Sequence, residues 1–117
     1  MYNVPDKHSR EQRHHDRETE LITHLAADFI ARNSNNTSLI TALRSELSTR
    51  GDHATVFVSI FPDSMMQPAL DFLNRNAGEF REYIKANSRM RDLPRISFVY
   101  DFGEQNRQRL DELTRDS

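Results

Sequence analysis

Basic residues recur at helical spacing in the second half of this chain. If residues 63–90 form one helix, a wheel at about 100° per residue gathers four of them and a glycine on one arc beside the apolar arc: Arg75, Gly78, Arg81, Lys85 and Arg89. Arg91 and Arg95 continue the positive charge into the following loop and strand. Such side chains contact phosphates, and a glycine among them lets a nucleic-acid backbone approach closely. The spacing therefore indicates a phosphate-binding ridge, or else an ordinary solvated helix face with ion pairs.

Residue types that could support catalysis or metal binding are present but are not arranged for it. His14 and His15 are adjacent, so on a helix they diverge by about 100° and cannot chelate one ion as an i, i+4 pair would. No nucleophile elbow or phosphate loop surrounds any serine, histidine or aspartate. Asp101 is expected to cap a helix that begins near Gly103. We therefore expect no enzyme, no metal site and no cofactor.

Composition restricts the class of protein. The chain has 117 residues, enough for one domain, and a formal net charge of −2, which argues against coating nucleic acid by bulk charge but allows a local basic face. The absence of cysteine excludes disulfides, thiol catalysis and Cys-based zinc sites. The sequence has no apolar run long enough to span a membrane and no secretion signal at its start. A cytoplasmic protein that does not bind membranes is expected.

The first third of the chain is expected to form one helix. Residues 1–9 are polar and are expected to be flexible, and the helix follows from about Arg10 to Arg32. Ser9 and Gln12 could form its capping box. Six residues at helical spacing mark its apolar face: Leu21, Ile22, Leu25, Ala26, Phe29 and Ile30.

Two strands and their turn come next. Residues 54–61, "ATVFVSIF", are rich in Val, Ile and Phe and indicate a strand. Residues 39–47, "LITALRSEL", are interpreted as its antiparallel partner, although their composition also allows a helix. Gly51 lies in the turn between them.

A long helix and a third strand complete the main elements. Asp63 or Ser64 is expected to cap the helix, which runs to about Met90. Its apolar arc contains six residues: Met66, Leu70, Leu73, Ala77, Phe80 and Ile84. Gly78 in its middle indicates a kink or a close approach. Residues 95–102 form the strand and residues 103–113 a short last helix. The order predicts a single α+β domain with a three-stranded sheet backed by helices.

Aromatic residues alternate along two of the strands. Phe57, Phe61, Phe98 and Tyr100 could be stacking platforms for RNA bases, but at alternating strand positions such residues more often fill the core. Only one face of the sheet can be core. In the third strand we therefore expect one set inward and the other outward: Ile96, Phe98 and Tyr100 in, and Arg95, Ser97 and Val99 out.

The chain resembles the ribosome-binding factor A family. Its "NAG" at residues 76–78 is similar to that family's helix kink, and "GEFREYIKANSRMRDLPRISFVYD" resembles the segment that follows it. "ATVFVSIF" resembles the family's second strand and "RLDEL" its closing helix. The resemblance covers residues 13–113 and is more specific in the C-terminal half.

The resemblance implies a variant type II KH domain over residues 10–117, with an Ala-x-Gly helix-kink-helix in place of the Gly-x-x-Gly loop. It implies a monomeric, non-catalytic factor that binds the small (30S) ribosomal subunit and its 16S rRNA during late maturation, often linked to growth in the cold. No small-molecule substrate is implied. It favours the ridge over a solvated face, with eight RNA-binding residues: Arg75, Asn76, Gly78, Arg81, Lys85, Arg89, Arg91 and Arg95.

Three positions depart from the family pattern. Asn76 stands where the Ala-x-Gly signature has alanine. The family's Ser-x-Asp before its second strand is Ser48-Thr49-Arg50 here, without the aspartate, and a lysine usual in that strand is Thr55. The chain also ends without the long tail of some members. These changes concern the RNA contacts more than the fold.

Two other functions stay open. A KH-like domain could serve as a protein-interaction module without RNA binding, and its complexes would then survive ribonuclease. A small enzyme is the least favoured, because no set of nucleophile, base and orienting group can be named.

Overall fold

The computed structural model describes residues 6–33 and 37–103, with side chains from residue 16 on. It confirms the predicted α+β class, with these elements in chain order: α1 Asp6–Asn33, β1 Leu39–Leu47, β2 His53–Phe61, a 3₁₀ turn Asp63–Met65, α2 Met66–Arg75, α3 Ala77–Asn87 and β3 Arg95–Tyr100. The remainder of the predicted last helix, residues 104–113, lies outside the described residues.

Helix α1 is longer than predicted at its start. It begins at Asp6, so Ser9 is an interior residue and the predicted capping box with Gln12 is wrong. Its apolar face is confirmed: Ile22 and Ala26 are fully buried, and Leu25, Phe29 and Ile30 nearly so.

The three strands form one sheet in the order β1-β2-β3. The predicted antiparallel hairpin is confirmed, with Leu39 opposite Phe61 at one end and Leu47 opposite Ala54 at the other. The register shifts between Ala42 and Arg44, a β-bulge that places Leu43 outside the pairing. Strand β3 lies parallel to β2, which requires the crossover that α2 and α3 supply.

All three helices pack on one face of the sheet. The core joins their buried residues to alternate residues of β2, namely Ala54, Val56, Val58 and Ile60, and to Ile96 and Phe98 of β3. Phe80 of α3 lies at the centre, with its ring centroid 5.3 Å from that of Phe29 and 5.6 Å from that of Phe98. The predicted inward set of β3 is confirmed, since Tyr100 also packs against this core.

The core interpretation is wrong for two of the aromatic residues. Phe57 and Phe61 have the opposite parity to Val56 and Val58, so they lie on the other face of β2. Phe61 is 70% exposed. Phe57 is half-buried because the Arg44 guanidinium lies 3.8 Å from its ring centroid.

The start of the second helical segment also differs from the prediction. A 3₁₀ turn follows Pro62, so the α-helix begins only at Met66 and its N-cap is Met65. Neither cap makes a side-chain hydrogen bond, and the predicted capping by Asp63 or Ser64 is wrong.

Asn74 joins α2 to the outer edge of β3. Its amide oxygen accepts the Phe98 backbone N–H at 2.8 Å, and its amide nitrogen donates to the Phe98 carbonyl at 3.0 Å. The side chain thus satisfies the backbone groups that a neighbouring strand would otherwise pair.

Candidate nucleic-acid interface

The predicted long helix is two helices joined at Asn76. This residue has φ −100° and ψ 13°, and its backbone N–H bonds to the carbonyls of Phe72 and Leu73 at 3.1 Å. Its side chain donates to the Phe72 carbonyl at 2.8 Å, and its own carbonyl accepts the Phe80 N–H at 3.0 Å. Asn76 therefore closes α2 and opens α3, so the interruption lies at Asn76 and not at the glycine.

Gly78 is in the first turn of α3 and is exposed. Its φ is not positive, and a Cβ added to it would meet no heavy atom within 4 Å. Neither backbone conformation nor internal packing therefore requires a glycine here, although glycine costs a helix about 1 kcal/mol against alanine. The open space above it is available to a molecule from outside.

Arg81 does not belong to an exposed ridge. It is half-buried, its Nε donates to the Pro94 carbonyl at 3.0 Å, and its Nη2 donates to the Leu93 carbonyl at 3.1 Å. The prediction that it faces solvent is wrong, because the loop before β3 folds back over this part of α3. Arg81 holds that loop in place.

Arg75 is separated from the other predicted residues. It lines a groove of about 220 Å³ with Thr37, Ser38 and Ile40, beside the start of β1. Ile40 pairs with Ile60, so this groove lies at the end of the sheet where β1 begins and β2 ends. The broken helix is the reason, since a helical wheel assumes one straight axis.

The remaining predicted cations are exposed. Lys85, Arg89, Arg91 and Arg95 make no ion pair with any residue in the described ranges. Arg89 and Arg91 line an open cleft of about 580 Å³ at the end of the sheet where Leu47 pairs with Ala54. Arg95 starts β3 at the same end, where its N–H donates to the Asp52 carbonyl at 3.0 Å.

Arg50, from the turn between β1 and β2, lines the same cleft. Sequence reasoning noted this position only as a missing aspartate. Strand pairing supplied the signal that was overlooked, because a hairpin turn and the start of a parallel neighbouring strand meet at one sheet end. We call Arg50, Arg89, Arg91 and Arg95 the basic end of the molecule.

Comparison with known proteins identifies the chain at this point. A sequence model of ribosome-binding factor A matches residues 14–114. The chain belongs to the ribosome-binding factor A family.

Individual members of the family are similar in sequence and structure. Ribosome-binding factor A of Kosmotoga olearia is 28% identical over 85 residues, which is 72% of this chain and 68% of that protein. The crystal structure of ribosome-binding factor A from Thermus thermophilus matches with a TM-score of 0.66 at 24% identity, over 74% of this chain and 94% of that chain. These likenesses confirm the resemblance and show the KH-like fold of the ribosome-binding factor A family.

One solved relative is described in a complex. A homology model of the Thermus thermophilus ribosome-binding factor A, fitted into a cryo-electron-microscopy map of a 30S complex, matches with a TM-score of 0.60. It is 26% identical and covers 68% of this chain and 86% of that chain.

Asp101 acts as predicted for a residue that caps a turn. Its Oδ1 accepts the Gly103 N–H at 3.1 Å, while its Oδ2 lies 4.0 Å from Arg44 Nε. Within the described side chains no group of three His, Cys, Asp or Glu residues could hold a metal ion, and His14 and His15 lie outside them. The chemistry available at the basic end of this ribosome-binding factor A is therefore the binding of anions by guanidinium groups.

Proposed function

We propose that this chain binds the small (30S) ribosomal subunit and contacts its 16S rRNA with the basic end, without catalysis, during late maturation of the subunit. The observation that carries the proposal is a set of exposed arginines, Arg89, Arg91 and Arg95, that have no ion-pair partner in the described part of the chain. They occur in a member of the ribosome-binding factor A family, and the Thermus relative is described in a 30S complex.

Unpaired arginines favour phosphate binding over a structural role. Each guanidinium that meets a phosphate makes charge-assisted hydrogen bonds and releases condensed counterions. The net charge of −2 does not oppose this, because acidic residues elsewhere set the total while short-range contacts are local. The proposal keeps Lys85 and Arg75 as further contacts and gives Arg81 a positioning role in place of a direct one.

Gly78 supports the same proposal. A glycine that neither φ nor packing requires is explained if a backbone of RNA approaches the first turn of α3 more closely than a Cβ allows. Asn76 is half-buried and turned toward Phe72, so we propose that it shapes this approach through the helix joint.

The broader setting is part of the proposal. We propose a cytoplasmic monomer with one domain over residues 10–117 and a flexible segment at residues 1–9. No helix in the described ranges is long and apolar enough to cross a membrane.

The test is co-sedimentation with purified small subunits at low and raised salt. The variant Arg89→Ser/Arg91→Ser should lose about a hundredfold in affinity, since each charged hydrogen-bonding group contributes about 1.5 kcal/mol and 1.4 kcal/mol is tenfold. The control is Arg32→Glu, which changes the formal charge by the same amount at the far end of α1. Equal effects of the two variants would reduce the binding to bulk charge, and native binding by the double variant would contradict the proposal.

A second function is favoured by one observation, the exposed apolar side chains of Leu39 and Phe61 at the opposite end of the sheet. They suit a protein-interaction module. Ribonuclease separates the two functions, because rRNA-dependent complexes dissociate on RNA digestion and protein complexes survive it.

A further inference from the structure

We propose that Arg50, Arg89 and Arg91 form a binding cleft for one unpaired nucleotide of RNA, with Arg50 as the contact that the hairpin turn contributes. The inference rests on the proposed function and extends it by naming the site and the kind of RNA that fits it. The three guanidinium groups approach the same open cleft of about 580 Å³ from two separate segments of the chain. That volume is within the usual range for sites that enclose a small organic ligand.

The wall that carries Arg50 is a closed turn. Gly51 has φ +75° and donates its N–H to the Ser48 carbonyl at 2.8 Å. The Ser48 hydroxyl donates to Asp52 Oδ1 at 2.8 Å and accepts the His53 N–H at 3.1 Å. These bonds fix the backbone on both sides of Arg50, so less conformational freedom is lost when its side chain binds a ligand.

The wall that carries Arg89 and Arg91 is fixed as well. The Ser88 hydroxyl donates to the Ile84 carbonyl at 2.7 Å and accepts the Met90 N–H at 3.2 Å. Arg81 holds the far side of the loop through the Leu93 and Pro94 carbonyls. Both walls are thus positioned by hydrogen bonds that do not use the three cleft arginines.

The chemistry of the cleft matches a nucleotide. Leu21 and Met90 supply apolar surface that a base or ribose can cover, while the arginines can bind the phosphate. Two carboxylates, of Glu18 and Asp92, also line the cleft, so its formal charge from three arginines and two acids is +1. That balance suits one phosphate rather than a long row of them.

The concave shape favours unpaired RNA over a duplex. A base in a duplex is stacked and paired, whereas a base in a loop or end can be splayed out into a cleft. A duplex would meet the rim arginines with its backbone and leave Leu21 and Met90 uncovered.

The experiment measures fluorescence anisotropy of a labelled short single-stranded RNA oligonucleotide with the full chain, and then of its duplex with the complementary strand. The native chain should bind the single strand more tightly. Arg50→Ser should weaken that binding about tenfold, the loss of one charged contact, and lower the salt slope by about one. The control Arg32→Ser removes the same charge from the last turn of α1, about 21 Å along the helix from Glu18. It should leave affinity nearly unchanged.

Three results would overturn the cleft: equal effects of Arg50→Ser and Arg32→Ser, tighter binding of the duplex, or no binding of the single strand by the native chain. Co-sedimentation with small subunits separates this failure from that of the proposed function. Subunit binding that survives Arg50→Ser, with the single strand unaffected, removes the cleft alone. Single-strand binding that depends on Arg50, without subunit binding, removes the ribosomal function alone.

Discussion

The two ends of the sheet differ in charge and in how firmly their loops are fixed. At the basic end, hydrogen bonds of Ser48, Ser88 and Arg81 hold two connecting segments, and exposed arginines project from them. At the other end, which we call the apolar end, Leu39 is 67% and Phe61 70% exposed. The comparison indicates that the molecule presents ordered cations at one end and uncovered hydrocarbon at the other, which suits two different kinds of partner.

The joint at Asn76 separates the cations that the sequence placed in one row. Because α2 ends there and α3 starts in a new direction, Arg75 lies beside the apolar end while Arg89 and Arg91 lie at the basic end. A ridge along one helix becomes two sites at opposite ends of the sheet.

The largest expected effect removes both ends at once. Phe80 is fully buried between Phe29 and Phe98, so Phe80→Ala should lower the free energy of unfolding by about 3–5 kcal/mol. Urea denaturation measures this. Phe61→Ala is the matched control at an exposed site and should change stability by about 0.5 kcal/mol or less. A small loss for Phe80→Ala would contradict the shared core and imply that the two ends are stabilised separately.

A smaller effect should be confined to the basic end. Arg81→Ala removes two hydrogen bonds to the loop before β3 and should cost about 2 kcal/mol, with faster amide exchange at residues 91–94. The exposed Lys85→Ala on the same helix is the control and should cost about 0.5 kcal/mol or less. If the two variants exchange alike, Arg81 does not position the loop and returns to the set of direct RNA contacts.

The smallest effect has the opposite sign. Gly78→Ala should raise the free energy of unfolding by about 0.5–1 kcal/mol, because the added Cβ meets nothing and alanine is the better helix former. The same variant should bind small subunits more weakly, since the Cβ occupies the space left for the RNA backbone. Greater stability with unchanged binding would show that no ligand approaches Gly78.

The parts of the fold that follow hydrophobic periodicity could be predicted from the sequence. Burial of Ile22 and Phe29 on α1, the β2 strand and the inward Phe98 all follow from spacing alone. Asp101 was predictable too, because an aspartate after a strand has a local partner in the backbone N–H of Gly103.

The candidate site was harder to predict because its contacts are tertiary. Nothing in the spacing of Arg81 shows that a loop thirteen residues later returns to cover it. Arg50 joins the cleft only because β1, β2 and β3 meet at one end of the sheet. The position of Phe61 was a local error, since its parity with Val56 and Val58 already placed it on the opposite face.

Amide hydrogen exchange of the native chain, free and bound to purified small subunits, tests the central claim most directly, because it reports which end of the sheet the subunit covers. The account predicts slower exchange on binding at residues 48–53 and 88–94, with no change around Leu39 and Phe61. Slower exchange at Leu39 and Phe61, with residues 48–53 and 88–94 unchanged, would contradict it and assign the interaction to the apolar end.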